Sequence, residues 1–286
     1  MIPTLRKTGK LVINQRRLAS KTGSSEHLCG TPGCRVPHLS ASHQAPQTAI
    51  FDPTSVEEEP HGGIRTILAN NKKWSANKLA VEPNFFKSRA SGQKPTFLYL
   101  GCADSRVPAE SLLGVEPGDV FVTRNIANQA QPWDTSFEAI LEFGAGVLGC
   151  SHILVCGHTN CGGVHASTQK KLVGTDISNV NTWLHGLRDI NRHYADFLSS
   201  IPDDKERLLA LTELNVAEQC VNIAVTDVIS RLRSERAGLP HIHALIYDIS
   251  SGLVRPIHPE IRSRVIAHRS QHVGAVFSVD TNSIFA

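Results

Sequence analysis

Thr96-Phe97-Leu98-Tyr99-Leu100-Gly101-Cys102-Ala103-Asp104-Ser105-Arg106 opens on a short apolar run that Gly101 ends. The run is too short for a buried helix and rich in side chains that suit a covered strand. Working outward, Asp119-Val120-Phe121-Val122-Thr123 repeats the pattern, His152 to Cys156 returns to it, and Ile242 to Tyr247 gives it once more. Helical spacing fills the gaps. Asp134 is the expected N-cap of a helix whose apolar side recurs at Phe137, Ile140, Leu141 and Leu148. Ile177, Val180, Trp183, Leu184, Leu187, Ile190 and Tyr194 mark a second helix, and a longer one runs from Lys205 to Ala237. Gly238-Leu239-Pro240 stops it, because Gly accepts the left-handed cap and Pro cannot continue. Helices between apolar strands predict an α/β fold: a mostly parallel central sheet flanked by helices. Ile64, Ile67 and Leu68 add an apolar stripe to a helix from about Gly63, an N-terminal helical arm. No internal repeat is present, and no single pattern dominates after Arg255.

This order puts Cys102 just beyond the carboxyl end of one strand and His158 just beyond another, with Cys161 opening the next helix. Ligands of open α/β sheets gather in that crevice, and a helix N-terminus favours a thiolate. Two thiolates and an imidazole are donors that zinc prefers, and three protein ligands leave the fourth corner open, as catalytic zinc requires. No C-x-x-C pair competes for that corner. Asp104 follows two residues after the first thiolate and Arg106 two later, so a guanidinium can keep the carboxylate ionised. The residues alone read as a zinc enzyme of hydrolysis or hydration, with one zinc per chain.

Duller readings compete. An Asp and an Arg two apart usually form a turn pair; the nearby Cys and the later His-x-x-Cys reverse that preference. His165 is read as an ordinary helix-face histidine, and His241, His243 and His258 as structural. Gly144-Ala145-Gly146-Val147-Leu148-Gly149 fits G-x-G-x-x-G, but it lies in or at the end of a helix and precedes a strand. A dinucleotide loop must follow a strand and open a helix, so a nicotinamide-dependent dehydrogenase is set aside. A structural zinc closed permanently by Asp104 leaves Arg106 without a purpose.

Cys102-x-Asp104-x-Arg106 followed by His158-x-x-Cys161-Gly162-Gly163 resembles the signature of the beta-class carbonic anhydrases, and the chain is similar to fungal, mitochondrial members. The resemblance continues through Val107-Pro108-Ala109-Glu110, Glu116-Pro117-Gly118-Asp119 and Arg124-Asn125-Ile126-Ala127-Asn128, and covers about Gly63 to Asp248. Ala103 departs from the Ser of many relatives. The resemblance implies reversible hydration of carbon dioxide to bicarbonate and a proton by zinc-bound hydroxide, with Cys102, His158 and Cys161 as metal ligands. It implies that Asp104 and Arg106 orient the nucleophile, or that Asp104 swings onto zinc in a resting state, with Tyr99 a weak hint of such a switch. It further implies Gln93 and the Gly162 amide as substrate contacts, and a homodimer or homotetramer whose subunits share a pocket. Hydrolysis of carbon disulfide or carbonyl sulfide is the alternative chemistry within the same fold.

The 286 residues suffice for a sizeable core, and 41% hydrophobic with 19% charged residues is ordinary for a globular chain. A net charge of +3 is too small to imply a nucleic-acid partner, and no segment is apolar enough for membrane insertion. Before Asp52 the only acid is Glu26, against Arg6, Lys7, Lys10, Arg16, Arg17, Lys21 and Arg35. Residues 1–25 therefore read as a transit peptide to the mitochondrial matrix, processed near Arg17-Leu18-Ala19-Ser20; a basic tail on a cytoplasmic enzyme is the alternative. Residues 26–62, with five prolines, read as a linker or arm, and residues 63–286 as one catalytic domain with a C-terminal tail. Cys150, Cys156 and Cys220 are expected to be buried thiols. Cys29, Cys34 and His38 lack a hydrophobic frame and are not expected to form a second metal site.

Overall fold

The computed structural model describes residues 63–169 and 178–273. The transit-like segment, the linker with Cys29, Cys34 and His38, and Ile177 lie outside the described residues. The chain divides into two compact units, residues 1–68 and 69–286. Of the first, Gly63 to Leu68 are described and open helix α1 (Gly63–Val81). The expected arm helix is present, but its stripe is not a buried one: no α1 residue is buried, and Ile67 and Leu68 are 63% and 56% exposed.

The second unit is built on five strands, β1 (Phe97–Cys102), β2 (Val120–Asn125), β3 (His152–His158), β4 (His241–Asp248) and β5 (Leu253–Pro256). Their order is β2-β1-β3-β4-β5; the first four are parallel and β5 is antiparallel to β4. Both faces are covered along the centre, so β1 and β3 read as continuous apolar runs rather than alternating ones. Leu98, Leu100, Ile153, Val155, Ile242 and Ile246 belong to the larger core with α9 (Asp204–Ala224). Tyr99, Leu154, Cys156 and Val120 form a smaller one with Ala109 of the short helix α3 (Ala109–Leu113). Each fully buried aliphatic side chain of these clusters contributes about 1.5–3 kcal/mol relative to exposure. Gly157 lets α9 approach β3 closely: a Cβ there would lie 2.6 Å from Val216 Cγ2.

The remaining helices show where spacing alone misleads. α2 (Phe85–Arg89) precedes β1, and α4 (Thr135–Leu141) begins where expected, with Asp134 Oδ1 accepting from the Ser136 and Phe137 amides. A π-helical turn, Glu142–Val147, follows and contains most of the glycine-rich string, ahead of β3. α5 (Gly162–Thr168) starts directly after Cys161. The single helix expected from Ile177 to Tyr194 is two, α6 (Ser178–Trp183) and α7 (His185–His193), and a further short helix, α8 (Ala195–Ser199), follows. The long helix expected from Lys205 breaks into α9 and α10 (Asp227–Glu235), bent by 69°. Thr226 causes the break: its hydroxyl accepts from the Ile229 amide as an N-cap. β5 was not anticipated because four residues carry no usable alternation; the turn at Asp248–Gly252, closed by a 2.8 Å backbone hydrogen bond, folds it back on β4. α11 (Pro259–Val273) was missed too, since among its residues of described burial only Ile261 and Val265, one turn apart, are buried in a largely polar segment. Among the described residues no single helix is long and apolar enough to cross a membrane.

Candidate metal and active site

Parallel strands end their chemistry-bearing residues on one edge. Cys102 is the last residue of β1 and His158 the last of β3, rather than one residue beyond, and Gly101 pairs with Cys156 in register. Cys161 sits at the N-cap of α5 after a tight turn in which Asn160 takes a left-handed φ of 56°. The result is the one group among the described residues that could hold a metal: Cys102, His158 and Cys161, all buried, with donor atoms within 4.8 Å of one another.

The donors fit a tetrahedral zinc ion. The two sulfurs lie 3.9 Å apart, and two Zn–S bonds of about 2.3 Å at the tetrahedral angle span about 3.8 Å. His158 Nδ1 lies 2.9 Å from the Thr159 carbonyl, which accepts its proton and leaves Nε2 as the acceptor nitrogen. That Nε2 is buried with no hydrogen-bond partner. A buried lone pair without a partner is costly, and a cation removes the cost. The sulfurs give the same message. At this separation they compete for one proton: the hydrogen bond from Cys161 pulls the Cys102 thiol below the ordinary range, and the Cys102 sulfur pushes Cys161 above it. A divalent cation resolves the conflict by favouring both thiolates.

Asp104 stands beside the cluster, its Oδ2 3.9 Å from His158 Nε2. Arg106 holds it by a bidentate fork, Nε to Oδ1 at 2.9 Å and Nη2 to Oδ2 at 2.7 Å, and its backbone amide donates to Oδ1 at 2.9 Å. The guanidinium fork keeps this carboxyl well below the usual carboxylate range. The pair is partly open to solvent, Asp104 at 17% and Arg106 at 51% side-chain exposure, so a small molecule can reach it.

Sequence reading missed the residues that fix this loop. Arg124 of β2 donates through Nε to the Cys102 carbonyl at 2.7 Å and through Nη2 to the Asp104 carbonyl, pinning both ends of the Cys102–Asp104 segment. Thr159 Oγ1 donates to Asp248 Oδ1 at 3.1 Å and accepts from the Ile249 amide, tying the His158 turn to the end of β4. Arg124 opens one of the motifs quoted above, but motif position alone gives no partner.

Other expected residues are placed apart. Gln93 is exposed before β1, at the opposite edge of the sheet from Cys102, in a shallow groove with Phe85, Arg89, Pro117 and Gly118. The length of β1, about 16 Å at 3.3 Å per residue, separates the two within one chain. Gly162 does lie at the cluster, as the first residue of α5, with open space where a Cβ would project. His165 is exposed on α5 against Gln169, away from the ligands. Tyr99 is fully buried on the opposite face of β1 from Cys102, its hydroxyl without a partner.

The sequence matches the family model Carbonic anhydrase over residues 97–254. It is 41% identical to a carbonic anhydrase of Emericella nidulans over 192 residues, 67% of this chain and 82% of the relative. The fold is similar to a tetrameric beta-carbonic anhydrase of Sordaria macrospora, with a TM-score of 0.64 and 34% identity over 68% of this chain and 95% of that one. It is similar also to a beta-carbonic anhydrase of Aspergillus fumigatus, with a TM-score of 0.63 and 37% identity over 72% and 97%. A family model covering more than half of the chain, and fungal relatives whose sheet this one follows, leave one conclusion: the chain belongs to the beta class of the carbonic anhydrases and is a carbonate dehydratase, a lyase.

Proposed function

We propose that Cys102, His158 and Cys161 hold one zinc ion per chain and that the site interconverts carbon dioxide with bicarbonate and a proton. The observation that carries this reading is the unpartnered, buried His158 Nε2 facing two sulfurs, with an ionised carboxylate 3.9 Å away. Bound zinc supplies hydroxide at neutral pH by lowering the pKa of water toward about 7. Two thiolate ligands neutralise more of the cation than three imidazoles would, so the surroundings must assist. Asp104 would assist by accepting a hydrogen bond from the O–H of the nucleophile while staying ionised, which aims the oxygen lone pair at the substrate carbon. Arg106 keeps Asp104 ionised and turned to a fixed angle. Arg124 holds the backbone from which both Cys102 and Asp104 project. The Asp104–Arg106 fork supports an open arrangement, with Asp104 on the guanidinium and not in the ligand set.

The Gly162 amide, at the head of α5, is suited to an oxygen of bicarbonate. Gln93, exposed and remote from its own cluster, is suited to serve the site of a neighbouring copy in a homodimer or homotetramer, as the tetrameric Sordaria relative suggests. The acid-poor, basic N-terminus supports delivery to the mitochondrial matrix. Stopped-flow carbon dioxide hydration on protein of known zinc content tests the reading. Rapid turnover at one zinc per chain is expected. Full zinc occupancy without carbon dioxide turnover, but with hydrolysis of carbon disulfide, would contradict the substrate assignment.

A further inference from the structure

We infer that Asn215 and Gln219 of α9 are positioning residues for the two metal-ligating sulfurs, acting through the loop from Asn125 to Ala130. The inference rests on the metal site proposed above. The loop lies between the two sulfur-bearing segments. On one side, Asn125 is in register with Cys102, and its carbonyl accepts from the Ala103 amide at 2.9 Å. On the other, it meets the start of α5 two residues after Cys161: a Cβ on Gly163 would lie 2.9 Å from Ile126 Cγ2 and 3.1 Å from Ala127 Cβ. Any movement of Ile126 and Ala127 therefore shifts the separation of Cys102 from Cys161.

That loop is held from within only at its ends, where Asn125 Nδ2 donates to the Gln129 carbonyl and Asn125 Oδ1 accepts from the Gln129 amide, both at 2.7 Å. Ala127 and Asn128 take φ of 61° and 46°, a region that non-glycine residues rarely occupy and that persists only when the surroundings impose it. Beyond the strand pairing of Asn125 and a single 3-10 turn at Ile126–Asn128, its backbone is met by side chains: Trp183 Nε1 donates to the Ile126 carbonyl at 2.8 Å, and α9 meets the rest. Asn215 Nδ2 donates to the Ala127 carbonyl at 2.9 Å, Asn215 Oδ1 accepts from Gln219 Nε2 at 3.0 Å, and Gln219 Oε1 accepts from the Ala130 amide at 2.8 Å. The two amides thus form a ladder one helical turn long that matches the span from Ala127 to Ala130. Asn222, the next residue on that side of α9, donates to the Ala130 carbonyl at 3.2 Å. Asn215 and Gln219 are 0% and 2% exposed, on a side of α9 that they share with the buried Leu211 and Ile223 and with the buried Thr212 and Glu218. Buried amides in such surroundings are retained for what they hold, because an apolar side chain would pack there without needing partners.

The test uses full-length protein loaded with cobalt(II), whose sulfur-to-metal absorption reports the thiolate geometry. Asn215→Leu keeps the volume and removes the ladder's first rung; Gln219→Met removes the second and leaves the bond to Ala127. Expected for Asn215→Leu is a shifted or weakened sulfur-to-cobalt band and metal affinity, by chelator competition, lower by about 10- to 100-fold, the range for groups that orient ligands from outside. Gln219→Met should move both in the same direction and by less, and it decides the matter if Asn215→Leu does not fold. Folded variants whose band and affinity equal those of the wild type would overturn the inference and leave the metal site standing. A wild type without a sulfur-to-cobalt band would overturn the metal site and the inference together.

Discussion

The two edges of the sheet both carry histidines, and only one carries chemistry. At the carboxyl edge, His158 is buried, directs one nitrogen to a backbone carbonyl and leaves the other to two sulfurs. At the amino edge, His152, His241 and His243 lie on one face in adjacent strands, with His152 centred 5.6 Å and 5.1 Å from the other two rings. There His152 Nδ1 and His243 Nε2 share a hydrogen bond of 2.9 Å, Phe97 lies beside His152 at 5.4 Å, and His241 Nδ1 is buried without a partner. Three imidazoles so close would look like a zinc set by composition. Among the described residues only Cys102, His158 and Cys161 bring three donor atoms within 4.8 Å of one another, and that convergence, not the number of histidines or one unpartnered nitrogen, separates a ligand from a stacked ring.

Substitutions at the two edges should differ in rank as sharply as the edges do. Cys102→Ser or His158→Ala is expected to lose the metal and bring carbon dioxide turnover to background, read by metal analysis and stopped-flow on the same sample. Asp104→Asn should retain the metal and lower turnover by about 10²-fold, the scale of a misplaced reacting atom. Since Arg106 holds the Asp104 carboxyl below the ordinary range, the carboxylate persists through neutrality, and the loss should be similar from about pH 6.5 to 9 rather than confined to acid. Arg124→Met, which unpins the Cys102–Asp104 segment, should weaken metal retention by about tenfold in chelator competition.

The smallest effect belongs to the amino edge. His152→Phe should leave metal content and turnover within about twofold, as expected for a change remote from the reacting groups. It should alter stability against pH instead. Burial, and next the charge of His241, hold the His152 pKa below that of a free histidine. The unfolded chain then binds the extra proton, so the contribution of neutral His152 is present above about pH 6.5 and lost as pH falls below it. Urea melts of His152→Phe should show a flatter decline below that pH than the wild type; a parallel decline would remove His152 from the explanation.

The same contrast explains what the sequence made legible. Cys102, His158 and Cys161 could be read because covered strands announce their ends by apolar runs, and parallel strands place those ends together. Asp104 and Arg106 could be read because they are two residues apart and hydrogen-bond locally. Arg124, Asn215 and Gln219 act on backbone carbonyls and amides between 20 and 89 residues away, and nothing in local spacing names such partners. A signal was present: Asn215, Gln219 and Asn222 recur at helical spacing on one side of α9, a helix whose buried residues are mostly apolar but include Thr212, Glu213 and Glu218. Helix α10 was hidden in the same way, since the capping role of Thr226 is visible only once the chain turns there.

Zinc-edge X-ray absorption on the purified protein tests the metal assignment most directly. The expected shell has two sulfurs at about 2.3 Å, one imidazole nitrogen at about 2.0–2.1 Å and one further light atom. A shell of nitrogen and oxygen alone would contradict the assignment and move the metal from Cys102, His158 and Cys161 to imidazoles elsewhere, the amino-edge trio foremost.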